Sequence, residues 1–193
     1  MANIRVNGSF ADGDLSLLRR HLHLLDLELV PLCAAIKLSG DPDGAGLCDS
    51  AEYFIGHGFV AAQRYLTATR SGIGASAADA FSCAPMARAD LSVAAAINAG
   101  ANYWKHMEEW FGTPGKPAGE LKGPAIKTLQ QIEIITPWAD YTCSNLLASL
   151  LGGRSLELSL LLPAIELWRD NLHAMRENSG SNSLQNRPVV LSP

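Results

Sequence analysis

The chain has few charged residues and no long apolar run. Asp, Glu, Lys and Arg make up 18% of its 193 residues and the net charge is −4, whereas extended contact with nucleic acid requires clustered basic charge. No apolar run reaches the length of about 18 residues that a transmembrane helix needs. The N-terminus also lacks the apolar stretch of a signal peptide. We therefore expect no extended nucleic-acid interface, although a local basic site stays open, and we expect no membrane span and a cytoplasmic location.

Catalytic and cofactor-binding motifs are missing as well. The chain contains no GxSxG nucleophile motif, no phosphate-binding P-loop and no glycine-rich dinucleotide motif after a predicted strand. Its cysteines form no CxxC pair and are predicted to be buried free thiols: Cys33, Cys48, Cys83 and Cys143. We predict no cofactor, and the sequence leaves open whether the protein is an enzyme.

Helical spacing of the apolar residues predicts a mostly α fold. Leucines from Leu15 to Leu32 recur at steps of three and four, with Asp14 as the N-cap and Pro31 as a kink. A short strand is predicted before them, at residues 4–6. Further helices are predicted over 50–70, 85–111, 137–151 and 163–177.

These helices indicate a bundle of five to six largely antiparallel helices. Apolar residues alternate partly over 129–135 and 155–162. A small two-stranded β element after residue 124 is therefore an alternative to an all-helical arrangement.

One helical domain is predicted to span residues 1–177. Its segment 112–124 contains four glycines and three prolines and is predicted to be a linker-like loop. The polar tail 178–193 is predicted to be mobile. Small residues in the second and third predicted helices indicate that these helices pack closely. Replacement of Gly56 or Gly100 by Leu is therefore expected to destabilise the fold by several kcal/mol.

A polar stripe interrupts the apolar helix predicted over 85–111. Asn98, Asn102, His106 and Glu109 fall on one face, at i, i+4, i+8 and i+11. Asn is unfavourable inside a helix because its amide competes for backbone hydrogen bonds. A His beside a Glu can exchange protons near neutral pH. The stripe is predicted either to line a polar ligand pocket or to face water.

The second predicted helix could supply the opposite wall of that pocket. His57 and Arg64 lie two turns apart on it and share a face. With them the pocket would suit an anionic or polar small molecule. A metal held by His57, His106, Glu109 and Glu52 is an alternative, although the chain lacks a paired metal-ligand motif.

Acidic residues recur through the predicted turn 41–52. Loop positions 1, 3, 6, 9 and 12 of the EF-hand calcium motif are matched by Asp41, Asp43, Gly46, Asp49 and Glu52. The turn thus resembles an EF-hand loop, with Ala45 in place of an oxygen ligand. The resemblance implies calcium binding by Asp41, Asp43, Asp49 and Glu52. A tight turn followed by a helix cap accounts for the same residues.

Arg169 and His173 lie one turn apart on the last predicted helix, with three residues between them. An arginine, a polar residue and a following histidine resemble the ribonuclease motif of HEPN domains, a family of helical bundles with a somewhat longer spacing. The resemblance implies RNA cleavage, in which Arg169 stabilises a phosphate and His173 moves a proton. An exposed helix end, with cations near the negative end of the helix dipole, is the alternative.

The sequence favours a helical binding or regulatory protein without chemistry of its own. Self-association through apolar helix faces is expected, and the leucine-rich first helix is one such face. The partners would be a second copy or another protein. The alternative is an enzyme or small-ligand receptor that uses the pocket of Asn98, Asn102, His106, Glu109, His57 and Arg64. An RNA-cleaving bundle similar to HEPN domains is a third possibility.

Overall fold

A computed structural model describes residues 4–6, 9–112, 121–137 and 140–185. Within these ranges the chain forms seven α-helices, a 3₁₀ turn and two small antiparallel sheets. The elements are β1 (Ile4–Val6), β2 (Ser9–Ala11), α1 (Gly13–Leu38), α2 (Leu47–Ile73), α3 (Ala77–Ser82), β3 (Met86–Arg88), β4 (Leu91–Ser92), α4 (Val93–Phe111), α5 (Gly123–Glu133), α6 (Thr142–Leu151), the 3₁₀ turn (Leu158–Leu161) and α7 (Leu162–Gln185). The predicted mostly α fold is confirmed.

The strands lie before residue 93, not after residue 124. β1 pairs with β2 and β3 pairs with β4, both in antiparallel register. Residues 129–133 instead belong to α5, where Ala125, Leu129 and Ile132 bury one helical face. Residues 158–161 form the 3₁₀ turn. Neither 129–135 nor 155–162 therefore forms a strand, whereas the strand predicted at residues 4–6 is confirmed.

Helix boundaries differ from the predicted ones where a side chain caps the helix. Asp12, rather than Asp14, accepts the backbone N–H of Leu15 at 2.9 Å and begins α1. Pro31 lies inside α1, which continues to Leu38. Ser92 accepts the N–H of Ala95 at 3.0 Å. This cap begins α4 at Val93, so the preceding residues of the predicted helix form β3 and β4.

Close packing of α2 on α4 is confirmed. A Cβ atom on Gly56 would lie 2.1 Å from Cδ2 of Trp104. On Gly100 of α4 it would lie 2.9 Å from Cδ2 of Leu146 and 3.1 Å from Cδ2 of Phe59. Only hydrogen fits at these two positions, so the large side chains can close the core around them.

Among the described residues, one face of each long helix contributes to a shared hydrophobic core. Its largest fully buried side chains include Trp168, Phe59, Leu22, Leu29 and Ile55. α7 also holds the β3–β4 hairpin and α3 in place. Its Trp168 Nε1 donates to the carbonyl of Ala80 at 2.7 Å, and Asn171 Nδ2 donates to the carbonyl of Ala84 at 3.1 Å.

The remaining segment predictions fall partly outside the described residues. Of the linker-like loop 112–124, residues 113–120 lie outside them, and residues 123–124 already belong to α5. The predicted mobile tail 178–193 begins inside α7, and residues 186–193 lie outside the described part. None of the described helices is long and apolar enough to cross a bilayer. The four cysteines are free: Cys83 and Cys143 are buried, Cys33 and Cys48 half-buried.

Candidate functional site

A cavity of about 750 Å³ opens between α3, the β3–β4 hairpin, α4 and α5. It is lined by Ala77, Ala78, Phe81 and Ser82 of α3, Met86, Asp90, Leu91 and Ser92 of the hairpin, Ala95, Asn98, Asn102, His106 and Trp110 of α4, and Pro124, Lys127, Thr128 and Gln131 of α5. Three other elements thus surround one face of α4. That face carries three of the four residues of the predicted polar stripe.

Asn98 and Asn102 are oriented by a hydrogen-bond chain that begins at Lys105. The Lys105 ammonium donates to Gln63 Oε1 at 2.8 Å. An ammonium can only donate, so this contact identifies the amide oxygen of Gln63. Gln63 Nε2 then donates to Oδ1 of both Asn98 and Asn102, each at 2.8 Å. Since both asparagine oxygens accept from Gln63, their Nδ2 groups are the donor ends of the two amides.

His106 lines the cavity and is half-exposed. Its Nδ1 lies 3.2 Å from Oε2 of Glu109, which is itself exposed. Its ring stacks on Trp110 with 6.0 Å between centroids and 20° between planes. The Glu109 contact fixes the ring orientation and leaves Nε2 as the other polar atom of the imidazole. Glu109 therefore supports the site without lining the cavity.

The hydroxyl groups around the cavity are engaged in local structure. Ser92 donates to the carbonyl of Phe81 at 2.6 Å and caps α4. Thr128 donates to the carbonyl of Pro124 at 3.0 Å, and Ser82 to that of Asp79 at 3.1 Å. Each hydroxyl thus donates to a backbone carbonyl, and none of these bonds pairs a hydroxyl with His106 as a nucleophile would require.

His57 and Arg64 do not line this cavity. The His57 ring packs against Tyr53, with 4.3 Å between centroids, and against Trp104 at 5.8 Å. Arg64 instead lines a groove of about 450 Å³ between α1 and α2. Each helical residue turns by about 100°, so α2 directs Gln63 toward the stripe and turns its neighbour Arg64 away.

Gln63 is the residue that sequence reasoning missed. It lies seven residues after Gly56, so both share the face of α2 that packs on α4. That spacing was the available signal. No comparable signal identified the walls formed by α3, the hairpin and α5. The residues of the hairpin were included in the helix predicted over 85–111, and residues 129–133 of α5 alternate partly, as in a strand.

The carboxylates of the EF-hand-like turn 41–52 form hydrogen bonds with different parts of the chain. Asp41 accepts the N–H of Gly44 at 2.9 Å, and Asp43 accepts the hydroxyl of Tyr141. Glu52 is buried and accepts the backbone N–H groups of Cys143 at 2.6 Å and Ser144 at 2.8 Å. Among the described residues no three His, Cys, Asp or Glu side chains are grouped to hold a metal ion. Neither the calcium set nor the set of His57, His106, Glu109 and Glu52 is brought together.

Arg169 of the predicted ribonuclease pair is buried in an ion pair. Its Nη1 lies 3.1 Å from Oδ2 of Asp12, and its Nη2 lies 2.8 Å from Oδ1 of Asp170. Tyr65 also donates to Oδ2 of Asp12, at 2.6 Å. The guanidinium therefore joins α7 to the start of α1, a structural role that accounts for its burial. His173 is half-buried on the same helix.

Comparisons with known proteins do not add an assignment. No family model matches the chain, and neither a curated protein nor a solved structure is detectably similar to it. The cavity and its hydrogen-bond chain are therefore the basis for a functional argument.

Proposed function

We propose that this protein binds a small organic molecule that has an apolar body and one carbonyl or carboxylate group. The site is the cavity between α3, the β3–β4 hairpin, α4 and α5. The orientation of Asn98 and Asn102 by Gln63 carries the proposal, because it prepares two amide donors beside an apolar wall.

The size and lining of the cavity suit a ligand of this kind. Ligand pockets commonly have volumes of roughly 300–1,000 Å³ with mostly apolar walls and a few placed polar groups. The volume here is about 750 Å³, and Phe81, Met86 and Trp110 supply large apolar surfaces. A flat ring beside Trp110 would bury apolar area without requiring further polar partners.

The charges around the cavity favour a neutral or singly charged head group. Lys127 contributes one positive charge and Asp90 one negative charge to the lining. Glu109 adds a further negative charge beside His106. A polyphosphate would meet too little positive charge here, whereas a carbonyl or one carboxylate needs only donors such as the two Nδ2 groups and Lys127.

Binding without catalysis is the function these contacts support. His106 is positioned by Glu109, and the neighbouring hydroxyls are engaged with backbone carbonyls. A binding or regulatory protein therefore requires fewer assumptions than an enzyme. The four free cysteines support a reducing compartment such as the cytoplasm.

Three ligands that share one ring test the head-group preference. We expect benzoate and benzamide at millimolar concentrations to raise the melting temperature, because they bind the native state, and benzylamine to have little effect. In two-dimensional NMR spectra, the amide shifts that change should be those of Asn98, Asn102, Trp110 and Thr128. A response to benzylamine alone, or no response to any of the three, would contradict the proposal.

Substitution of Asn102 by Asp tests whether the ligand needs the Nδ2 donor of Asn102, because the two side chains have nearly the same shape. Asn102→Asp keeps an oxygen that can accept from Gln63 but replaces the Nδ2 donor with a second acceptor. We expect benzamide affinity to fall about tenfold, which is roughly 1.4 kcal/mol. Asn178→Asp is the matched control, since Asn178 is exposed on α7. Equal affinities of the two variants would argue against the assigned orientation.

A further inference from the structure

One residue in the described lining of the cavity, His106, belongs to the type of side chain that changes charge near neutral pH. Histidine gains a proton between about pH 5 and pH 8. Nδ1 of His106 lies 3.2 Å from a carboxylate oxygen of Glu109, and the ring stacks on Trp110. A neighbouring carboxylate and an aromatic face both favour the protonated ring. The wall of the cavity can therefore acquire a positive charge as the pH falls.

The other charges around the cavity balance one another. Lys127 of α5 is positive and Asp90 of the hairpin is negative, and α3 contributes no charged residue to the described lining. On α4 itself, Lys105 is linked to the two asparagines through the hydrogen-bond chain, and Glu109 contacts His106. These four residues carry two positive and two negative charges. Protonation of His106 therefore leaves one positive charge that a bound anion can offset.

The contact with Glu109 determines where the added proton goes. An ionised carboxylate can only accept a hydrogen bond, so Nδ1 carries the hydrogen of the neutral ring. The added proton then binds Nε2 and makes it a donor. His106 lies one helical turn after Asn102, whose Nδ2 group is also a donor end. At low pH the same face of α4 thus carries a charged donor beside a neutral one.

We infer that the cavity binds an aromatic carboxylate together with one proton, which His106 takes up from solvent. This inference rests on the proposed function and narrows its head group from a carbonyl or carboxylate to a carboxylate. The two oxygens of a carboxylate can accept from an amide and from the imidazolium at once. Hydrogen bonds between charged groups are roughly twice as strong as neutral ones. Since the ligand binds the protonated form more tightly, its binding must in turn favour protonation of His106.

Titration calorimetry with benzoate and benzamide at two pH values tests the inference. Carboxyl groups ionise near about pH 4, so benzoate keeps its charge at both about pH 5.5 and about pH 8. We expect benzoate to bind about fivefold more tightly at the lower pH, because His106 is half-exposed and solvent screens part of its charge. Benzamide should bind equally at both. Titrations in two buffers with different heats of ionisation should show proton uptake with benzoate alone.

Substitutions of His106 and Glu109 identify the group that takes up the proton. His106→Gln keeps hydrogen-bonding atoms but cannot gain a charge, so it should bind benzamide as the wild type does and lose the pH dependence for benzoate. His21→Gln is the matched control, since His21 is exposed on α1 and lines the groove beside Arg64 instead. Glu109→Gln removes the partner of the imidazolium and should move the rise in benzoate affinity to lower pH.

The two ligands separate failure of this inference from failure of the proposed function. If benzamide binds but benzoate affinity is the same at both pH values, or if its pH dependence persists in His106→Gln, the uptake of a proton by His106 is overturned and the binding function stands. If neither ligand binds at either pH, both are overturned. Proton uptake by the wild type needs no variant, so this test holds even where a substitution disturbs folding.

Discussion

At the scale of single residues, the buried carboxylates act as caps for helix N-termini. Glu52 lies inside α2 but accepts two backbone N–H groups and the hydroxyl of Ser144 at the start of α6. Asp26 of α1 likewise accepts the N–H groups of Leu158 at 2.6 Å and Ser159 at 3.0 Å, in the 3₁₀ turn. These N–H groups would otherwise be unsatisfied, and the cap is favoured further by the helix dipole.

Replacement of Glu52 by Gln should reveal the strength of such a cap. Glu52→Gln removes the charge and turns an NH₂ group toward donors, so we expect the free energy of unfolding to fall by about 2–3 kcal/mol. Urea denaturation measures this change. Glu108→Gln makes the same chemical change at an exposed site of α4 and should stay within about 0.5 kcal/mol. Similar losses in both variants would show that the Glu52 cap contributes little.

Residues that conflict with their local pattern were the ones identifiable from the sequence. Two asparagines inside an apolar helix indicated a polar role, and Asn98, Asn102 and His106 do line the cavity. Glu52 was predicted as a candidate metal ligand, but it accepts hydrogen bonds from residues about ninety positions further along the chain. A cap across that distance depends on tertiary packing, which no local spacing encodes.

At the scale of elements, the close contact between α2 and α4 depends on a glycine, which has no side chain, at position 56. Gly56 faces the indole of Trp104, so an added methyl group must displace a ring in the packed interface. Gly72, in the last turn of the same helix, has no heavy atom within 4 Å of the position a Cβ would take. The same substitution should therefore have opposite effects at the two positions.

We expect Gly56→Ala to lower the free energy of unfolding by about 1–3 kcal/mol, and Gly56→Leu by more. Gly72→Ala should raise it by up to about 1 kcal/mol, because alanine restricts the unfolded chain and favours the helix. Chemical denaturation of both alanine variants measures the two signs. Destabilisation by Gly72→Ala, or a neutral Gly56→Ala, would contradict this account of the interface.

Long periodic elements were predictable from the sequence, and short ones were not. The leucines of α1 and the apolar face of α4 specified those helices, although caps at Asp12 and Ser92 set their first residues. The β3–β4 hairpin has only three and two residues in its strands, too few for a periodic signal. The periodicity of the sequence therefore could not predict the β3–β4 hairpin, which forms one wall of the cavity.

At the scale of the whole molecule, one buried polar cluster joins the beginning, middle and end of the fold. Asp12 begins α1, Tyr65 lies in α2 and Arg169 in α7, and all three meet at Asp12 Oδ2. Burial and the hydrogen bond to Asp12 raise the pKa of the Tyr65 hydroxyl above its ordinary value of 10.0. The neutral phenol is thus the form that the folded protein stabilises.

This shift predicts a loss of stability in alkali. Below pH 10 Tyr65 is protonated in both states, and its contribution is constant. Above pH 10 the unfolded chain releases the proton while the folded chain keeps it, so stability should fall by up to about 1.4 kcal/mol per pH unit. Urea unfolding between about pH 8 and 11 should show a shallower decline for Tyr65→Phe. Tyr53→Phe, at a 54% exposed site, should keep the wild-type slope. If Tyr65→Phe declined as steeply as the wild type, Tyr65 would not control the alkaline transition.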